Sequence, residues 1–105
     1  MKTDLPERHL EIIKPSGDRI SFHIKLGPTY ESSGTYRCKV TFDGWIESPP
    51  DIQGYDSLQA FMLAVRLVDS ILREYVRLGV RVVWPGSDTD YDLDEFIPRI
   101  QAEKA

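Results

Sequence analysis

The tract from Asp56 to Gly79, DSLQAFMLAVRLVDSILREYVRLG, constrains this chain more than any other part of it. Leu58, Phe61, Met62, Val65, Val68, Leu72 and Tyr75 recur at helical spacing and form one apolar stripe. Ala60, Ala64, Leu67 and Ile71 widen the apolar arc, while Arg66, Ser70, Arg73 and Arg77 make the opposite, wet face; Leu63 falls near that polar side. Asp56 is placed to accept from the exposed backbone N–H groups as N-cap, with Gln59 where a capping box needs it. Gly79 ends the helix, which spans about Ser57 to Leu78. Asp69 and Arg73, four apart, pair on its surface. A helix this apolar on one side needs a sheet or another helix to cover it. Burying the stripe contributes on the order of 10 kcal/mol before chain entropy is subtracted.

The N-terminal half supplies the sheet. Arg8–Lys14 and Arg19–Leu26 read as strands, the second with Ile20, Phe22, Ile24 and Leu26 on one face and Arg19, Ser21, His23 and Lys25 on the other. Pro15-Ser16-Gly17 joins them as a three-residue hairpin loop, the glycine taking the left-handed position. That loop sets Lys14 against Asp18, Ile12 against Ile20 and Leu10 against Phe22. A two-residue loop would oppose Ile12 to Ser21 and turn every apolar residue of one strand to the wrong face. Gly27–Gly34 reads as a loop, and Thr35–Phe42 as a third strand with Tyr36, Cys38, Val40 and Phe42 inward. Asp43-Gly44 signals a hairpin into a fourth strand from Trp45 to about Ser48, cut short by Pro49 and Pro50. Val80–Trp84 is a last strand, stopped by Pro85-Gly86.

These elements predict an α+β domain of two layers, an antiparallel sheet of about four to five strands against one long helix, in the order β-β-β-β-α-β. With 105 residues the chain makes a single domain. The expected ordered core is about 8–84, followed by an acidic loop and tail, 85–105. Cys38 is the only cysteine, so a disulfide within the chain is impossible. The N-terminus is charged and does not read as a signal peptide, and no run approaches a membrane span. The expected location is cytoplasmic. The net charge is −4, with seven Lys/Arg against five Asp/Glu over residues 1–42 and six against twelve thereafter. That balance disfavours nucleic acid as a partner.

Asp56-Ser57-Leu58-Gln59-Ala60, with Phe61 where leucine is usual, together with the Arg37-Cys38 pair and the short strand ending at Trp84, resembles a bacterial family of short stand-alone domains. Its members carry a "DSxQAL"-like capped helix after N-terminal strands and have no agreed function. The likeness spans roughly Glu11 to Trp84. It implies the α+β fold and carries over no activity.

Three surfaces carry candidate chemistry. The hairpin register opposes His9 and His23 on the outward face, with Glu11 two residues along; two imidazoles so placed can reach one zinc or nickel ion, and Glu11 is the candidate third ligand. Against this stands the ordinary reading of two solvated histidines. Arg19, Lys25, Arg37 and Lys39 on the outward sheet face offer an anion-binding surface, but one without the aromatic residues on which RNA bases stack. Basic residues on exposed strands also serve as edge protection. The acidic run Asp88, Asp90, Asp92, Asp94 and Glu95 fails as an EF-hand loop: counting from Asp88, the sixth and twelfth positions hold Leu93 and Arg99 instead of glycine and glutamate. It reads either as a solvated loop or as a surface for a basic partner.

Enzymatic signatures are absent from the sequence. There is no Gly-x-Ser-x-Gly, and Cys38 points inward, where thiols are packing residues. Gly27–Gly34 lacks the lysine and the strand–loop–helix setting of a phosphate loop. No cofactor is called for. The chain therefore reads as a non-enzymatic protein-binding domain, in one version an inhibitor or immunity-type protein, whose contact residues are the acidic run. A homodimer through the helix is a second form of partner. The alternatives are a small metal- or ligand-dependent enzyme on the His9/His23 face and an RNA-binding module on the basic face.

Overall fold

The computed structural model describes residues 4–98 and shows a curled five-stranded antiparallel sheet with one long helix packed on its inner face. The strands are β1 (Glu7–Ile13), β2 (Arg19–Ser32), β3 (Thr35–Asp43), β4 (Ile52–Gly54) and β5 (Arg81–Val83); the helix α1 is Ser57–Arg77. The sheet order is β4-β3-β2-β1-β5, so the last strand closes against the first. Arg99 and the rest of the predicted tail lie outside the described residues.

The first hairpin has the register its loop dictates. Ile12 pairs with Ile20, Leu10 with Phe22 and His9 with His23. Lys14 and Asp18 close it through Lys14 N–H to Asp18 C=O at 2.8 Å, with Gly17 at φ +95°. Leu10, Ile12, Phe22, Ile24, Leu26, Cys38, Val40 and Phe42 are all buried on the inner face. The alternation that turns these side chains inward places His9, His23, Lys25 and Lys39 on the outer one.

Two elements differ from the sequence reading. β2 does not end at Leu26 but runs on to Ser32, pairing with β3 through Thr29–Cys38 to Ser32–Thr35. Its turn is Ser33-Gly34, with φ of +53° and +79°, the two left-handed positions of a tight type I′ hairpin. The register shifts across Gly27-Pro28, where proline has no N–H for the ladder. Polar residues and a proline made this segment look like a loop; a strand exposed on both sides needs no apolar alternation. The fourth strand is Ile52–Gly54, not Trp45–Ser48, and it pairs with Tyr36–Cys38 at the far end of β3. Trp45 instead turns inward, its ring 5.1 Å from Phe22 and 4.5 Å from Tyr75. The Ser48 hydroxyl accepts from Phe42 N–H at 2.9 Å, doing for that backbone group what a neighbouring strand would do.

α1 begins and ends as its sequence requires. Asp56 Oδ1 accepts from Gln59 N–H at 2.7 Å, and Gln59 Oε1 reaches back to accept from Tyr55 N–H at 2.6 Å. At the C-terminus, Val80 N–H donates to Tyr75 C=O and Gly79 N–H to Val76 C=O, with Gly79 at φ +102°. This is the Schellman arrangement, which satisfies carbonyls the helix itself leaves free. The face turned to the sheet is narrower than the stripe. Ala60, Ala64, Val68 and Leu72 are fully buried, whereas Leu58 and Met62 are 65% and 60% exposed. Two alanines in that line let the helix sit close to the sheet. Gly54 of β4 lies so near that a Cβ there would come within 2.4 Å of the Ala60 backbone nitrogen.

Candidate functional site

The acidic run is held by the fold. Asp88 pairs with Arg19 at 2.5 Å, Asp90 with Arg81 at 2.9 Å and Asp94 with Arg73 at 2.8 Å. Asp92 caps a 3-10 turn over Leu93–Glu95, accepting from Asp94 N–H. Between these charges Tyr91 is buried; its ring lies 5.0 Å from Trp84, and its hydroxyl accepts from Arg8 at 2.6 Å. Burial pushes the Tyr91 hydroxyl pKa up, and the nearby Arg8 guanidinium opposes it. Tyr91 N–H donates to Val82 C=O at 2.8 Å, so the loop lies along β5. Three of the five carboxylates of the run thus pair with arginines of the same chain, in exposed pairs of a kind that adds little stability.

Glu11 belongs to the same arrangement. One carboxylate oxygen accepts from Arg19 and from Gly86 N–H, both at 2.8 Å. The Gly86 N–H, then the Arg19 guanidinium, hold its pKa below the usual carboxylate value. Arg19 also donates to Ser87 C=O. Glu11 thus ties the Gly86–Asp88 segment to the sheet rather than facing the histidines.

The remaining basic residues are spread along the outer face. Lys25 lies in register between Glu7 and Thr41, Lys39 faces the Gly27-Pro28 irregularity, and Arg37 stands opposite Tyr30 and Gln53. The Arg37 Nε is shielded from solvent without a hydrogen-bond partner. Tyr30 donates to Asp51, which raises its pKa. Tyr30 is the one aromatic that the lengthened β2 adds to this face. Arg19, by contrast, is engaged by Glu11 and Asp88.

His9 and His23 do come together, with ring centroids 3.8 Å apart and planes at 74°. The carboxylate beside them is Glu7, whose Oε2 lies 3.3 Å from His23 Nε2. Cys38 is fully buried on the inner face, and desolvation raises its thiol pKa. It is a packing residue, as its inward position in β3 predicts.

The sequence reading offered the helix as a dimer surface but not the groove that lies beside it. Tyr55, Leu58, Met62 and Leu63 are 88%, 65%, 60% and 41% exposed, and Ile97 beyond the 3-10 turn is 42% exposed. Leu58, Met62, Leu63 and Ile97 line a groove of about 520 Å³ together with the charged Asp56 and Arg66. Leu63 also lines a neighbouring hollow with Tyr55. Single exposed leucines are ordinary, but a contiguous group of large ones beside a groove marks an interaction surface. The signal was present as an apolar arc too wide for one buried face.

Comparison with known proteins finds no match among family models, curated proteins or solved structures. Among the described residues no helix is long and apolar enough to cross a membrane.

Proposed function

We propose that this chain is a non-enzymatic protein-binding domain whose contact surface is the groove along the N-terminal half of α1. The observation that carries this reading is the exposure of Leu58, Met62 and Leu63 around one apolar hollow, in a helix whose buried line lies elsewhere. This reading places the contact on the helix rather than on the acidic run, three of whose five carboxylates pair with arginines of the chain. The occupant is a projecting apolar segment of another protein. Asp56 and Arg66, of opposite sign in the groove's lining, suit a segment with complementary charges, which would fix its direction. An inhibitor or immunity-type role in a bacterial cytoplasm is the specific form of this reading and rests on class analogy.

A photo-reactive residue at position 62, with the chain expressed in its native host, tests the proposal. The expected result is one defined adduct that disappears in Leu58→Asp, followed by saturable binding of the identified protein to the purified chain. A dimer of the chain itself, or no adduct beyond that from position 39 on the outer sheet face, would overturn it.

A further inference from the structure

We propose that Glu7, His9 and His23 form a binding site for a divalent transition-metal ion of the zinc or nickel class. The site lies on the outer face of the sheet, away from the helix groove, and is independent of the function proposed above. His9 and His23 are the only histidines in the chain, and the first hairpin pairs them directly. Glu7, two residues before His9, shares their face. One ligand atom from each of the three lies within 4.8 Å of the others.

The detailed geometry favours a shared ion over a simple contact. His23 Nε2 and Glu7 Oε2 are 3.3 Å apart, yet among the described residues His23 Nε2 finds no hydrogen-bond partner, and it is screened from solvent. Two ligands of a tetrahedral zinc with bonds of ~2.0–2.1 Å stand about 3.3–3.4 Å apart. The pair thus has the spacing of co-ligands without the alignment of a donor and acceptor. An imidazole nitrogen that is shielded and unpartnered is costly to leave so, and a metal ion is a partner that satisfies it. Glu7 and His9 sit on β1 and His23 on the adjacent β2, so the paired backbones fix their separation.

The donor set decides the class of ion. Two imidazoles and one carboxylate suit zinc, nickel or copper, whereas calcium and magnesium take oxygen ligands. The His23 side chain is 24% exposed and Glu7 51%, so the site is open on one side and leaves further positions to water. A cleft of about 300 Å³ beside the histidines is lined by Ser21, Asp43 and Gly44. Asp43 stands directly across from His23 in the β2–β3 register. Its carboxylate adds negative charge next to the site.

An ion pair between protonated His23 and Glu7 uses the same two atoms and leaves His9 without a role. The variants His9→Gln and His23→Gln separate the two arrangements. The experiment is calorimetric titration of the untagged full chain with zinc chloride, paired with NMR of the imidazole protons. Wild type is expected to bind one ion saturably below about 1 mM, with both histidines' resonances shifting. His9→Gln is expected to weaken binding by at least about tenfold, or 1.4 kcal/mol, with an unchanged circular dichroism spectrum. His9 is exposed, so that variant tests the site even if His23→Gln fails to fold. No saturable heat up to about 1 mM, undiminished binding in His9→Gln, or resonances of His9 and His23 unmoved by zinc would each overturn the proposal.

Discussion

Two apolar lines run along α1, and the molecule uses them differently. Ala60, Ala64, Val68 and Leu72 are fully buried against the sheet; Leu58, Met62 and Leu63 face outward over a groove. Over the first turns the buried line carries the small residues, Ala60 and Ala64, and the exposed line the larger ones. Were hydrophobicity alone in charge, leucine and methionine would take the core and alanine the surface. Close approach decides otherwise: the sheet curls under the first turns of the helix, with Gly54 against Ala60, and only small side chains fit between.

That contrast can be broken most forcefully on the buried side. Leu72→Ala is expected to cost about 2–5 kcal/mol in urea denaturation, because the side chain is enclosed and the cavity cannot collapse fully. Ala64→Leu is expected to cost about 1–3 kcal/mol by overpacking the narrow gap between helix and sheet. Asp56→Ala removes the N-cap bond to Gln59 and is expected to cost about 1 kcal/mol, read in the same way.

A smaller effect is expected on the groove's far wall. Ile97 follows the acidic loop, which Glu11 helps to fasten through Gly86 and Arg19. The folded-state pKa of Glu11 is lowered, so its contribution to stability is present in full above the ordinary value of 4.5. It is lost as pH falls through the lowered value. Glu11→Gln should therefore reduce stability at neutral pH and flatten the acid limb of the stability–pH curve. Parallel curves for the two proteins below pH 5 would contradict this.

Much of the fold was legible in the sequence because local rules and burial pointed the same way. A three-residue loop and matched apolar faces set the β1–β2 register, and Asp56, Gln59 and Gly79 bracketed the helix. What remained hidden depended on long-range placement. Thr29–Ser32 is a strand because Thr35–Cys38 pairs with it, not through any pattern of its own. Trp45 looked like a strand residue but fills the core beside Tyr75. The histidine pair followed from register alone. Its third member did not, since Glu7 and Glu11 lie at equal distances from His9 in sequence. Only the loop at Gly86 and Arg19, distant along the chain, draws Glu11 away. The groove escaped notice because an apolar arc does not say which of its edges meets the sheet.

The central claim is that Leu58 and Met62 serve contact and not folding. Urea denaturation of the Leu58→Gln/Met62→Gln double variant tests it most directly, glutamine being nearly as good a helix former as leucine or methionine. The account predicts a loss of less than about 1 kcal/mol, as for surface positions. A loss above about 2 kcal/mol, approaching the range expected for Leu72→Ala, would show that these side chains belong to the core and contradict it.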